Sequence, residues 1–245
     1  MKNKRKKLIS QIGGFVTQHP WVTLLLTLMV ITICSAGIKN LGFKNDYRAY
    51  FSKENPQLIA FESIQNTYNK SDNVMFILEP SEGTVFDPKV LQAVHRLTEK
   101  AWQLPYSSRV DSITNYQHTI ADQDDLIVAD LAPDPNAVTD RKMQQIKEVA
   151  LNEPLLVNRL ISKTGHVTGV NVTFQLPQKS ATEAMKVAAG SRLLISEIEE
   201  QFPGIKTYIT GMVMMNNAFS EASMHDNQTL VPAMYGLVVV VLLLS

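Results

Sequence analysis

Hydrophobic and polar positions along the chain fall into three regimes. Two uncharged apolar runs, Trp21 to Ile38 and Leu230 to Ser245, flank a centre where apolar residues recur with the short periods of water-soluble helices and strands. The first run has eighteen residues. As a helix it would extend about 27 Å, close to the hydrocarbon thickness of a bilayer. Trp21 marks one edge at headgroup level and Lys39 the other. That length favours a retained anchor over a cleaved signal, whose apolar core is about 7–15 residues long. The mildly apolar segment Ile9 to His19 is expected to lie along the membrane surface before the chain turns in at Pro20. The second run ends within its apolar stretch, with Pro232 expected in its first helical turn, and reads as the start of a second span cut short.

Between the runs the pattern predicts alternating helices and strands. A helix is expected over Pro56 to Asn69, capped by Ser52 or Asn55, and a buried strand over Asn73 to Glu79. Asp87-Pro88 opens a helix with Val90, Leu91, Val94, Leu97, Ala101 and Trp102 on its apolar face; a strand over Arg109 to Thr114 completes a βαβ-sized unit. Asp122 to Asn136 reads as an exposed acidic connection. Asp140 to Ala150 reads as a helix continuing weakly past Pro154, and Leu155 to Ser162 as an apolar stretch. His166 to Leu176 alternates as a half-buried strand. Ala181 to Phe202 carries Ala184, Met185, Ala188, Ser191, Ile195 and Ile198 at helical spacing, Pro203-Gly204 stops it, and Ile205 to Thr210 follows as a strand. Two strand–helix–strand units in tandem predict an α+β class with two small sandwich subdomains.

Charge adds direction. Lys2, Lys4, Arg5, Lys6 and Lys7 precede the first run, which places the N-terminus in the cytoplasm and the central domain outside it. All 23 acids follow residue 39, against 18 remaining Lys and Arg, so the domain carries a net excess of five acids. With no basic stripe, nucleic acid is excluded as a partner. The domain plan is therefore a cytoplasmic N-terminus (1–20), a first transmembrane helix (21–38), an extracytoplasmic domain (39–229) and the start of a second transmembrane helix (230–245).

Catalytic chemistry is not signalled. No nucleophile elbow, phosphate loop, zinc-protease helix or dinucleotide fingerprint occurs, and His19, His95, His118, His166 and His225 are scattered. Asp122, Asp124 and Asp125 lack the glycine and distal glutamate of a calcium loop. The lone Cys34 lies within the first apolar run as a small apolar filler. No catalytic, metal or cofactor residue is expected, and the chain is not expected to be an enzyme. Met212, Met214 and Met215 form a cluster after Gly211 that suits either an adaptable apolar surface or packing near the membrane.

Several local segments in order resemble one family. They are Asn45-Asp46 after the first run, Glu54-Asn55-Pro56, Ser71-Asp72-Asn73 leading into Val74-Met75-Phe76-Ile77, and Leu160-Ile161-Ser162. Ile209-Thr210-Gly211 and Asp226 with Leu230-Val231-Pro232 complete the series. Across nearly the whole chain this resembles the N-terminal part of an RND-superfamily exporter of the MMPL or hydrophobe/amphiphile-efflux type. The resemblance implies ferredoxin-like porter subdomains between the first and second spans, proton-driven export of lipids, drugs or other amphiphiles, and an inner (plasma) membrane location. Partners would be the bilayer, a hydrophobic or amphiphilic molecule and the remaining transporter half, with a homo-oligomer open. Proton-carrying residues lie in later helices of that family, so a segment of this extent would not transport alone. Substrate is expected to pass near Phe174, Met212, Met214 and Met215. A ligand-sensing ectodomain between two spans and a membrane-anchored assembly or binding protein share the same layout.

Overall fold

The structure, a computed structural model, describes residues 13–36, 51–67, 72–122, 125–177, 180 and 182–244. The basic cluster, Lys39, Asn45-Asp46, Ser71 and Asp124 lie outside the described residues. The chain divides into two units, Met1–Phe43 and Lys44–Ser245.

The first unit holds helix α1, Pro20–Ala36, a run of apolar side chains that includes an exposed Trp21. The chain does not turn at Pro20. Residues 13–18 are already helical, and the bonds His19 N–H to Phe15 O (2.9 Å) and Thr23 N–H to His19 O (3.1 Å) carry the helix across it. Pro20 lacks only its own N–H, and the helix tolerates that single loss.

The second unit begins with α2, Pro56–Thr67, capped by Asn55, whose Oδ1 accepts from the Gln57 and Leu58 N–H groups at 2.9 and 3.4 Å. The elements β1 (Asn73–Pro80), α3 (Pro88–Ala101), β2 (Ser107–Asp111), β5 (Thr168–Phe174), α5 (Thr182–Gln201) and β6 (Ile205–Thr210) build the main body. Between β2 and β5 the chain inserts the hairpin β3 (Gln117–Asp122) and β4 (Asp125–Asp130), a 3-10 turn at Pro135–Ala137 and α4 (Asp140–Asn152). A long helix, α6 (Met212–Leu244), follows β6.

The two strand–helix–strand units do not form separate subdomains. Their four strands share one antiparallel sheet in the order β2-β5-β1-β6. The later pair encloses the earlier central strand because β1 offers two free edges, one taken by β5 and one by β6. Alternation decides the layers: Val74, Phe76 and Leu78 of β1 and Val170, Val172 and Phe174 of β5 face a single core with the apolar stripes of α3 and α5. Lys100 of α3 and Glu197 of α5 form an ion pair between these helices. Asp87 caps α3, its Oδ1 accepting from the Lys89 N–H at 2.9 Å. Glu183 reaches back to the Ser180 N–H at 3.1 Å at the start of α5, the glutamate half of a capping box.

The insertion departs from the pattern expected. The acidic connection is in part a hairpin, with Asp122 opposite Asp125 at its tip and Ile120 opposite Ile127. Ile120, Ile127 and Val128 form the β-branched signal, but every residue of β4 is exposed, so no alternation of burial marks it. Helix α4 stops at Asn152, and Glu153 is already extended because it precedes Pro154. Strand β2 covers Ser107–Asp111, so it starts and ends earlier than the strand expected over Arg109 to Thr114. Ser112 instead turns the chain, its N–H donating to Asn115 Oδ1 at 2.8 Å.

Candidate functional site

Strand β6 passes into α6 without a loop. Gly211, with φ +119, makes the junction, and a Cβ there would lie 2.5 Å from Asn73 O and 2.9 Å from Val74 Cα. Only glycine permits both that dihedral and that approach to β1. One residue on, the Met212 N–H donates to Asn73 Oδ1 at 3.3 Å, and Asn73 Nδ2 donates across the sheet to Asn171 Oδ1 at 2.8 Å. Val213 and Asn217 are buried in the first turns. Arg192 of α5 then grips Glu221 with two prongs, Nη1 to Oε1 at 2.6 Å and Nη2 to Oε2 at 3.0 Å, and Asn217 Nδ2 adds a third bond at 2.9 Å. The Glu221 carboxylate raises the Arg192 pKa further above its ordinary value.

Beyond Glu221 the helix continues through its apolar half with exposed side chains. Among the described residues α6 is the one helix long and apolar enough to cross a membrane. Its 33 residues extend about 50 Å, more than a hydrocarbon core of about 30 Å requires. The helix that carries the second apolar run starts at Met212, ahead of that run, and Pro232 lies inside it, not in its first turn. Apolarity marks only the membrane-competent half; the polar half is helical because α5 and β1 hold it.

The sheet has a second face, on which Asn73, Met75, Ile77, Asn171, Thr173 and Arg109 alternate with the core residues. A bulge between Ser107 and Arg109 sets β2 so that Val110 meets Val172 in the core while Arg109 and Asp111 emerge on this opposite face. The segment 155–162 approaches this face, held by bonds such as Gly169 N–H to Leu160 O at 2.8 Å and Thr168 Oγ1 to Leu160 O at 2.9 Å. Asn158 takes φ +60 within it, a conformation asparagine tolerates.

Between segment and sheet lies a half-open groove of roughly 700 Å³, lined by Met75, Trp102, Arg109, Tyr116, Leu155, Arg159 and Asn171 among others. A smaller cleft of roughly 230 Å³, lined by Ile77, Ile161, Val167 and Gly169, shares Met75, Arg159 and Leu160 with it. Trp102 does not join the apolar face of α3. It follows the last turn, 50% exposed, at the groove. Burial pushes the Tyr116 phenol above its ordinary range, and its hydrogen bond to the Glu153 carboxylate adds to the rise. Asn171 connects the two features, since it lines the groove and accepts from the Asn73 that contacts the first turn of α6.

The four residues expected at substrate separate. Phe174 is fully buried among the core side chains, and Met214 packs against that core. Met212 is half-buried, and Met215 is exposed on the first turns of α6. None of the four lines the groove. Sequence reasoning missed Arg159 as a groove residue. Its signal was a lone cation inside the apolar stretch Leu155 to Ser162, with no acid three or four places away.

Residues 83–245, about two-thirds of the chain, match the MMPL family. The chain belongs to the MMPL family. No curated protein matches it. The MMPL assignment makes it a member of the RND superfamily and a segment of a membrane transporter. The MMPL match takes in α3, β2, the insertion, β5, α5, β6 and α6, and so most of the groove and the α6 side of the junction at Gly211, while Asn73 and Val74 of β1 precede it.

Proposed function

We propose that this chain provides the porter domain of an RND-like exporter that moves hydrophobic or amphiphilic molecules such as lipids or drugs. The observation that carries the reading is the loop-free passage from the sheet into an apolar helix, in a chain of a transporter family. A helix pinned to the sheet by Gly211 and Asn73 and to α5 by Arg192 transmits its tilt to the domain, as coupling between membrane and porter motion requires. The strand order β2-β5-β1-β6 supports reading the body as one ferredoxin-like unit, a split βαβ arrangement with its insertion between the second and third strands. In this reading the domain is periplasmic or extracellular, the N-terminus cytoplasmic, and the membrane the inner (plasma) membrane. The bilayer, the remaining transporter half and further copies of the chain are its partners. Met212 and Met215 line the way toward the membrane, and Phe174 and Met214 shape it from the core.

The test is accumulation of a lipophilic dye, Nile red, in cells with and without the transporter that contains this chain. Cells without it accumulate more dye, and Met215→Ala or Trp102→Ala in the intact transporter alters the profile across a panel of hydrophobic compounds. Equal accumulation with and without the transporter, for every compound tested, overturns the reading. A two-span sensor or an anchored assembly protein predicts that outcome.

A further inference from the structure

We propose that the groove between segment 155–162 and the sheet binds a single-chain amphiphile with an anionic head, Arg159 holding the oxyanion and the cleft beside Met75 taking the alkyl chain. This rests on the export reading and names the substrate class for one site within it.

The placement of charge carries the inference. Arg159 stands where the larger groove and the smaller cleft meet, since it lines both. Its guanidinium has no ion-pair partner among the described residues. The other cation of the groove is already neutralised, because Arg109 Nε donates to Asp111 Oδ1 and Oδ2 at 2.8 and 3.0 Å. The nearby Glu153 carboxylate is also engaged, by the Leu155 N–H at 3.1 Å and by the Tyr116 phenol. Arg159 is therefore the uncommitted charge at the junction, and its planar donors suit a carboxylate, sulfonate or phosphate.

The surroundings select the rest of the ligand. From Arg159 the smaller cleft leads away over Ile77 and Ile161, and its exposed lining is mainly apolar. Gly169 keeps its floor open, since a Cβ there would lie 3.0 Å from the Met75 sulfur. Thioether and leucine side chains adapt to a flexible chain. The larger hollow, roughly 700 Å³, lies within the range of small-molecule sites. A cation at the mouth of an apolar cleft complements a ligand with one oxyanion and one chain. It offers a neutral hydrocarbon nothing beyond the cleft itself.

The chain has two tryptophans, so Trp21→Phe leaves Trp102 as the single indole, at the groove. The full chain with this change, in nanodiscs of zwitterionic phosphatidylcholine, is titrated with ω-brominated dodecanoate and with ω-brominated dodecanol, whose bromine quenches a neighbouring indole. Both should quench Trp102, the carboxylate with about tenfold higher affinity. Arg159→Gln should reduce the carboxylate to the level of the alcohol, about tenfold, and leave the alcohol unchanged, as loss of one charge-assisted contact predicts. Arg159→Lys should recover part of the difference. If both probes quench but Arg159→Gln alters neither, the anionic-head inference is overturned while the groove still takes hydrophobic ligands. If neither probe quenches Trp102, the groove itself is not a substrate site and the inference falls with it, whatever the dye-accumulation result.

Discussion

Arg192 and Glu221 bind each other through two parallel N–H···O bonds, at 2.6 and 3.0 Å, and so clamp the domain helix α5 to the polar half of α6. Both side chains are about half exposed, which limits what the pair contributes to stability. A double-mutant cycle of Arg192→Ala and Glu221→Ala should give a coupling of about 0.5–1 kcal/mol that shrinks with added salt. The larger effect should be local: amide exchange in residues 213–221 should accelerate in either variant, with the sheet unchanged. Equal protection of that segment in wild type and variants would remove the clamp from the account.

Gly211 carries a more severe constraint. Gly211→Ala should lower stability by about 1–3 kcal/mol from the dihedral alone, and more because the new methyl group meets the Asn73 carbonyl. The check is thermal unfolding beside Gly204→Ala, which shares a positive φ but has open space around it. Gly211→Ala should be clearly the worse of the two; equal losses would mean that the approach to β1 is unimportant.

Phe174 separates a core role from direct substrate contact. As a fully buried ring it should cost about 3–5 kcal/mol when cut to alanine, while Phe174→Leu should cost much less. Met215→Ala should be nearly neutral for stability. Urea unfolding that leaves Phe174→Ala as stable as wild type would contradict its place in the core.

Tyr116 gives a pH dependence whose sign follows from its raised pKa. The neutral phenol is favoured in the folded state, so its stabilisation is complete below the unfolded tyrosine value of about 10. It is lost as pH rises from there through the higher folded value. The urea midpoint should fall more steeply above pH 10 in wild type than in Tyr116→Phe. Parallel curves would mean that burial and Glu153 do not act on this hydroxyl.

The elements of the main body were legible wherever a periodicity met its own stop signal. Asp87-Pro88 opened α3 and Asn55 capped α2, as local chemistry required. The unbroken apolar run Val74 to Leu78 declared β1, and only the structure divides it into a core face of Val74, Phe76 and Leu78 and an opposite face. The hairpin of β3 and β4 went unread because all of β4 faces solvent, and an exposed ribbon has no inside to alternate with. The groove as an assembly was not legible. Arg109, Trp102 and Asn171 are separated in sequence and each has an ordinary local context, and the lone cation Arg159 in its apolar stretch does not by itself say what it faces.

The sequence by itself determined the apolar runs, the α+β character and the local starts and stops of helices, because each depends on neighbours within a few residues. Only the tertiary structure decided that both βαβ units share one sheet, since β1 could have paired with either of several strands. It also decided that α6 begins at Met212. That boundary depends on Gly211 fitting against Asn73 and on Arg192 meeting Glu221, contacts between segments 138 and 29 residues apart that no local pattern encodes.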